Sequence, residues 1–128
     1  LKALLDASRQ RDQVTLIAFD FELLRELRAA LPDVPILWLL GSKRDERSGR
    51  YAPIDPRLVQ RAVAAGFQGL NVSHRGVTPE LVDAARAAGT ELFVWTVNDP
   101  AEARRLVELG VAGITTDVPD RVAAALAR

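Results

Sequence analysis

The sequence predicts an α/β fold built of parallel βα repeats, with about five strands. Apolar runs of strand length alternate along the chain with longer amphipathic stretches, the pattern of parallel strands joined by crossover helices. Gly66, Gly89 and Gly110 each follow an Ala/Leu-rich stretch and precede an apolar run, as the left-handed end of a helix requires. They lie 23 and 21 residues apart, which outlines a repeating unit of one helix and one strand.

The individual elements follow from this alternation. The predicted strands cover residues 14–19, 35–40, 69–72, 92–97 and 113–116. The predicted helices cover residues 21–31, 56–65, 79–88, 100–109 and 119–127, and residues 2–9 form the end of an earlier helix. Because the chain opens inside a helix and has 128 residues, we expect it to be part of one larger domain.

Three helix starts are marked by a capping residue before a proline. Asp55, Thr78 and Asp99 each precede a proline, whose missing N–H costs nothing at the first helical position. Glu102 follows Asp99 at the spacing of a capping box, in which the two side chains satisfy backbone N–H groups reciprocally. These signals predict sharp helix boundaries at the carboxyl ends of the preceding strands or loops.

The composition is that of a globular protein and argues against several partners. Hydrophobic residues make up 48% and charged residues 27% of the chain. The 17 basic and 17 acidic residues cancel, so nucleic acid is not an expected partner. No cysteine is available for thiolate metal sites, and no apolar stretch is long enough to predict a transmembrane segment. The compartment stays open, with the cytoplasm favoured for the visible part.

The single histidine, His74, is expected to be catalytically idle. It follows the third predicted strand in the segment Ser73-His74-Arg75-Gly76, where the loops of parallel α/β folds carry function. The sequence shows no carboxylate pair near it, however, and one histidine alone is weak evidence of catalysis. The preferred interpretation is therefore that His74 is a loop histidine without a catalytic role.

No metal site is predicted within the chain. Asp20, Asp99 and Asp117 lie at strand ends, but each precedes or opens a helix, where capping accounts for a carboxylate. No DxD or ExD cluster supplies the converging oxygens that a divalent cation prefers. Glycine-rich nucleotide motifs and nucleophile elbows are absent as well.

Trp95 and the segment 41–55 each allow a structural and a functional interpretation. Strand alternation groups Trp95 with Phe93 and Val97, and we expect this face to point to the inside of the sheet. Trp95 is then either a core residue or an apolar wall for a small ligand. The charged segment 41–55 is either a solvated loop or the rim of a pocket.

Two motifs near the end of the chain point to a known family. Residues 94–98 read Val-Trp-Thr-Val-Asn, and after a helix residues 110–117 read Gly-Val-Ala-Gly-Ile-Thr-Thr-Asp, followed by Pro119. This pair resembles the closing signature of the glycerophosphodiester phosphodiesterases, and residues 17–20, Ile-Ala-Phe-Asp, resemble that family's SFD strand. Ala18 and Ala112 replace the serine and aspartate that are usual there. The resemblance covers nearly the whole chain.

The resemblance implies the C-terminal half of a TIM (β/α)₈ barrel. It also implies metal-assisted hydrolysis of a small-molecule glycerophosphodiester to glycerol 3-phosphate and an alcohol, with Ca²⁺ or Mg²⁺ as the cofactor. The family's catalytic histidines and metal ligands have no counterpart before Val14, and His74-Arg75-Gly76 repeats the letters of one motif in the wrong chain order. No catalytic or metal-binding residue is therefore assigned here. Trp95 and Phe19 are the expected substrate contacts, as apolar walls beside the glycerol end.

The half-barrel interpretation predicts how the isolated chain behaves, and two other functions fit the same sequence. By itself the chain is expected to be inactive, and either to self-associate or to pair with the missing N-terminal half, because a cut barrel leaves unpaired strand edges. A different barrel enzyme with a phosphate site at residues 110–117 fits the same sequence. A non-catalytic half-barrel that associates through its open strand edges is the other alternative.

Overall fold

The computed structural model describes residues 1–127, which form five strands alternating with helices. The strands are β1 Leu16–Ala18, β2 Ile36–Leu40, β3 Gly69–Ser73, β4 Glu91–Trp95 and β5 Gly113–Ile114. The α-helices are α1 Lys2–Ala7, α2 Phe21–Ala30, α3 Arg57–Ala64, α4 Pro79–Ala87, α5 Pro100–Leu109 and α6 Pro119–Leu126. Short 3₁₀ turns occupy Arg11–Gln13 and His74–Gly76. None of the helices in residues 1–127 is long and apolar enough to span a membrane.

The strands form one parallel sheet in the order β1-β2-β3-β4-β5. Each crossover therefore leads to the neighbouring strand and continues in one direction. This is the winding of a sector of a (β/α)₈ barrel, whereas a doubly wound sheet reverses its strand order. The predicted α/β fold of parallel βα repeats with five strands is confirmed.

The main core lies between the sheet and the helices that cover one of its faces. Strand residues such as Leu70 and Val94 have no exposed surface and pack with Leu24, Leu81 and Leu106 from three of the helices. Burying aliphatic side chains of this size stabilises a fold by roughly 1.5–3 kcal/mol each. A smaller cluster of Leu5, Leu31 and Val34 holds α1 against the start of the sheet.

The predicted alternation of the fourth strand is wrong at its end. Strand β4 stops at Trp95, so Val97 no longer shares a face with Phe93 and Trp95. Val97 is 1% exposed and belongs to the helix-covered core, and its N–H donates to the carbonyl oxygen of Thr115. The chain turns out of the strand after Trp95, and the period-two pattern no longer applies there.

Most of the predicted helix boundaries are confirmed, with exceptions in the capping chemistry at Asp55 and at Glu102. The side chains of Thr78 and Asp99 accept hydrogen bonds from Leu81 N and Ala101 N, and Gly66, Gly89 and Gly110 have φ values of 80°, 65° and 111°. Asp55 accepts from the N–H of Arg57, but α3 begins at Arg57 and its N-cap is Pro56, one position after the predicted cap. Glu102, in contrast, closes no described capping box, because its carboxylate binds other side chains.

Gly69 is required where β3 lies between its two neighbours. A Cβ at this position would overlap the carbonyl oxygen of Glu91 in the adjacent strand. We expect Gly69→Ala to destabilise the protein by roughly 1–3 kcal/mol, because the paired backbone must shift to admit the methyl group. Urea denaturation of the protein measures this cost.

Gly41→Ala is the matched control for that substitution. A Cβ at Gly41 has no atom within 4 Å, and Gly41 is not among the glycines with a positive φ. An unchanged urea midpoint for Gly69→Ala, equal to that of Gly41→Ala, would contradict the predicted clash.

Candidate functional site

Phe19 and Trp95, the two predicted substrate contacts, lie together at the carboxyl end of the sheet. Phe19 follows β1 directly, and Trp95 is the last residue of β4. Their ring centroids are 6.2 Å apart and the ring planes meet at 85°, an edge-to-face contact. The two residues are 76 positions apart in the chain, so the sheet brings them together.

Both aromatic residues are held by hydrogen bonds to buried strands. The indole N–H of Trp95 donates to the carbonyl oxygen of Asn71 at 3.1 Å. The backbone at Phe19 is fixed because its carbonyl oxygen accepts from the indole N–H of Trp38 at 3.0 Å. Phe19 as a whole nevertheless remains 60% exposed on the face that no helix covers. A rigid strand backbone thus presents a partly exposed aromatic corner.

A cavity of about 280 Å³ lies beside this aromatic corner. Its lining residues are Ile17, Phe19, Leu39, Asn71, Trp95, Thr96 and Thr115. Apolar walls with a few polar groups are typical of a site for a small organic molecule. The expected orientation of Trp95 toward the inner face, near the carboxyl rim, therefore agrees with the structure.

A larger cavity of about 540 Å³ lies at the opposite end of the strands. Its walls include Thr15, Leu37, Glu91 and Phe93. Ligands of parallel α/β proteins bind at the carboxyl ends of the strands, where the βα loops converge. The smaller cavity beside Trp95 is therefore the candidate site despite its size.

The two closing sequence motifs meet in a polar clasp. The Asn98 side chain donates to Asp117 Oδ2 at 3.0 Å, and its Oδ1 accepts from Thr116 Oγ1 and from the backbone N–H of Asp117. The clasp ties the loop after β4 to the loop after β5, directly beyond Trp95. The spacing of the motifs thus has a structural reason: their ends bind each other at the rim of the sheet.

His74 has an acidic partner that the sequence did not predict. Its Nδ1 lies 3.2 Å from Glu102 Oε1, and Glu102 also binds the Arg105 guanidinium at 2.7 and 2.8 Å. The assumption that His74 lacks a carboxylate neighbour was wrong, because α5 brings Glu102 to it across 28 positions of the chain. Hydrogen bonds from Arg105 first, and from His74 to a lesser degree, lower the pKa of the Glu102 carboxyl. This trio links the loop after β3 to α5, and His74 is not among the residues lining the cavity beside Trp95.

The carboxylates at the strand ends do not form a metal site. Asp20 and Asp99 accept from backbone N–H groups at the starts of α2 and α5, and Asp117 is bound by Asn98. Within residues 1–127, no group of three or more histidine, cysteine or acidic side chains is placed to hold a metal ion. The described residues therefore do not fit a divalent cation.

The segment 41–55 is folded back on itself as a two-stranded turn. Arg44 and Tyr51 form an antiparallel bridge, and Asp45 Oδ1 accepts from the N–H groups of Arg47 and Ser48. The Arg75 guanidinium lies 5.0 Å from the centroid of the Tyr51 ring, which connects this turn to the loop after β3. Most of its residues are exposed.

The comparisons with known proteins agree with this architecture. The model of the glycerophosphoryl diester phosphodiesterase family matches residues 1–121. The chain belongs to this family. A crystal structure from Silicibacter pomeroyi DSS-3, assigned as a glycerophosphoryl diester phosphodiesterase, is similar with 35% identity and a TM-score of 0.79. The match covers 98% of this chain and 42% of that one.

Two other similar proteins are also much longer than this chain. A structure from Galdieria sulphuraria, assigned as a glycerophosphodiester phosphodiesterase, has a TM-score of 0.81 at 24% identity over 98% of this chain and 48% of that one. The human glycerophosphocholine phosphodiesterase is 29% identical over 124 residues, 91% of this chain and 18% of that protein. The chain thus spans less than half the length of these three relatives. The predicted family and the half-barrel fold are confirmed.

Sequence reasoning singled out Phe19 and Trp95, which the structure brings together, but it singled out neither Asn71 nor the pairing of His74 with Glu102. Asn71 lies in a short strand that also contains the polar Ser73, and it carries no motif of its own, so no sequence signal distinguished it. Glu102 was not recognised as the partner of His74, because its spacing from Asp99 had assigned it to a capping box. Asn71 and the pair of His74 and Glu102 became apparent only when the structure placed neighbouring strands and helices side by side.

Proposed function

We propose that the protein containing this chain hydrolyses glycerophosphodiesters to glycerol 3-phosphate and an alcohol. Membership of the phosphodiesterase family supports this reaction, as does the 35% identity to the Silicibacter protein. The observation on which the proposal rests most is the aromatic corner, because Phe19 and Trp95 meet beside a small cavity at the end of the sheet where such ligands bind.

In the proposed reaction, the oxygen of water attacks phosphorus and the bond from phosphorus to the alcohol oxygen breaks. A proton from the water ends on the alcohol that leaves. An acid, a base and metal ligands must converge on the phosphate for this chemistry. Residues 1–127 supply no such set, so we propose that these groups, including the ligands of Ca²⁺ or Mg²⁺, belong to a further part of the protein.

The proposed contribution of this chain is to bind and orient the substrate. The faces of Phe19 and Trp95 are suited to the carbon skeleton of the glycerol end, and they exclude water from one side of it. The hydrogen bond from Trp95 to β3 fixes the indole before substrate arrives, which lowers the entropic cost of binding. Comparison of kcat/KM for glycerophosphocholine and for a simple phosphodiester without glycerol tests this preference for the glycerol end. A larger kcat/KM for glycerophosphocholine is expected.

The open face of the sheet requires a covering surface. Ile17 and Phe19 are 51% and 60% exposed on it, and β1 and β5 each pair on one side only within residues 1–127. Exposed apolar surface and free strand edges favour association. We propose that this face packs against the remaining part of the barrel or, in its absence, against a second copy of the chain.

His74 is expected to contribute little to turnover. Its contact with Glu102 joins a loop to a helix, and the imidazole does not line the cavity beside Trp95. In the protein that contains this chain, His74→Ala should leave kcat within a few-fold of normal. A loss of about a hundredfold or more, the scale of a general acid or base, would show that His74 takes part in the chemistry.

A further inference from the structure

The Asn71 side chain is a buried amide on the inner face of the sheet with an unpaired oxygen. Asn71 is 7% exposed in the central strand β3. Its Oδ1 has no hydrogen-bond partner among the described residues and no contact with solvent. Buried polar groups are nearly always paired, so an unpaired amide at the centre of a sheet is unusual.

The contacts within residues 1–127 do not account for this amide. Strand β3 is held on both sides by backbone pairing, with Asn71 opposite Leu39 in β2 and Phe93 in β4. The one described hydrogen bond that involves Asn71 outside this ladder uses its backbone carbonyl, which accepts from Trp95. A leucine of similar size would bury apolar surface here without the cost of an unmatched amide. A ligand in the cavity that Asn71 lines would supply the missing partner.

The position of the amide identifies the part of a ligand that it would meet. Asn71 lines the cavity beside the apolar Phe19, Leu39 and Trp95, and the other polar residues of the wall are Thr96 and Thr115. An amide oxygen needs a hydrogen-bond donor. A phosphate diester oxygen cannot donate a hydrogen bond, whereas a hydroxyl can both donate and accept. In this structure the amide oxygen is closed off from solvent, so a ligand donor reaches it only after rotation about the terminal side-chain torsion. This torsion is broad for asparagine, its rotation exchanges the amide oxygen and nitrogen, and a hydroxyl matches either.

We propose that Asn71 binds a hydroxyl group of the glycerol end of the substrate and so selects a polyol over an alkyl group. This inference rests on the proposed function and adds the group that recognises the glycerol. Phe19 and Trp95 then contact the carbon skeleton, and Asn71 forms a hydrogen bond with the hydroxyl beside them.

The test compares Asn71→Leu with Ser73→Ala in the protein that contains this chain. Ser73 is a matched control, because it is 8% exposed, follows Asn71 by two positions on the same strand, and is not among the residues lining the cavity. kcat/KM is measured for glycerophosphocholine and for two analogues that lack the C1 or the C2 hydroxyl of glycerol. We expect Asn71→Leu to reduce the preference for glycerophosphocholine over one analogue about tenfold, the effect of one hydrogen bond, and Ser73→Ala to leave it unchanged.

A binding measurement separates this inference from the proposed reaction. Calorimetry with sn-glycerol 3-phosphate and with phosphates lacking its C1 or C2 hydroxyl gives the same comparison without turnover. If no diester is hydrolysed but Asn71→Leu abolishes the preference in binding, the reaction fails and the role of Asn71 stands. If Asn71→Leu remains folded by circular dichroism and keeps both preferences, the inference is overturned even when hydrolysis is observed. Absence of both hydrolysis and hydroxyl-dependent binding overturns both.

Discussion

Residues 1–128 expressed by themselves are expected to show no turnover of glycerophosphocholine with either Ca²⁺ or Mg²⁺. Hydrolysis requires an acid, a base and metal ligands that converge on one phosphate. The carboxylates at the strand ends cap helices or bind Asn98, and His74 is bound to Glu102. The rate should therefore fall to the uncatalysed level, a loss of at least about 10⁶-fold relative to an active enzyme.

The same preparation tests the association of the chain. Within residues 1–127, Ile17 and Phe19 are exposed and β1 and β5 each pair on one side only, which favours a dimer or larger species. Light scattering gives its mass. The protein that contains this chain, assayed in parallel, is the positive control. A monomer of residues 1–128 with metal-dependent turnover would contradict both the predicted inactivity and the predicted association.

Trp95→Ala is expected to lower kcat/KM of the protein that contains this chain by about 1–3 kcal/mol in transition-state binding, or roughly five- to 150-fold. The substitution removes the indole that meets Phe19 at the cavity and the hydrogen bond to the carbonyl of Asn71. Trp95→Phe keeps the apolar wall and loses the hydrogen bond, so an intermediate loss is expected.

Phe93→Ala is the matched control for the tryptophan. Phe93 lies two residues earlier on the same strand and lines the cavity at the amino ends of the strands. Both alanine variants lose a partly buried aromatic ring, and urea denaturation shows whether their stabilities change alike. Equal kinetics for Trp95→Ala and the unmodified protein would assign Trp95 a packing role alone, whereas an equal kinetic loss for Phe93→Ala would indicate a general effect on the sheet.

The order and type of the elements could be predicted from the sequence because their signals are local. Proline and a capping acceptor mark the starts of α4 and α5, and glycines with positive φ mark the ends of α3, α4 and α5. These residues act through their own backbone conformation, which neighbouring strands do not change. Two short motifs with a fixed spacing were also sufficient to identify the family, which the match over residues 1–121 confirmed.

The composition of the candidate site was decided by the tertiary structure. Trp95 could be assigned to the inner face by alternation. Its contact with Phe19, however, exists because the sheet places the ends of β1 and β4 near each other, with only β2 and β3 between them, although 76 positions of the chain separate the two residues. Val97 left the predicted face because β4 ends two residues before it. The partner of His74 and the unpaired oxygen of Asn71 depend on which helix and which strand lie beside them. Pairing across elements is a property of packing, which periodicity and spacing in one sequence do not specify.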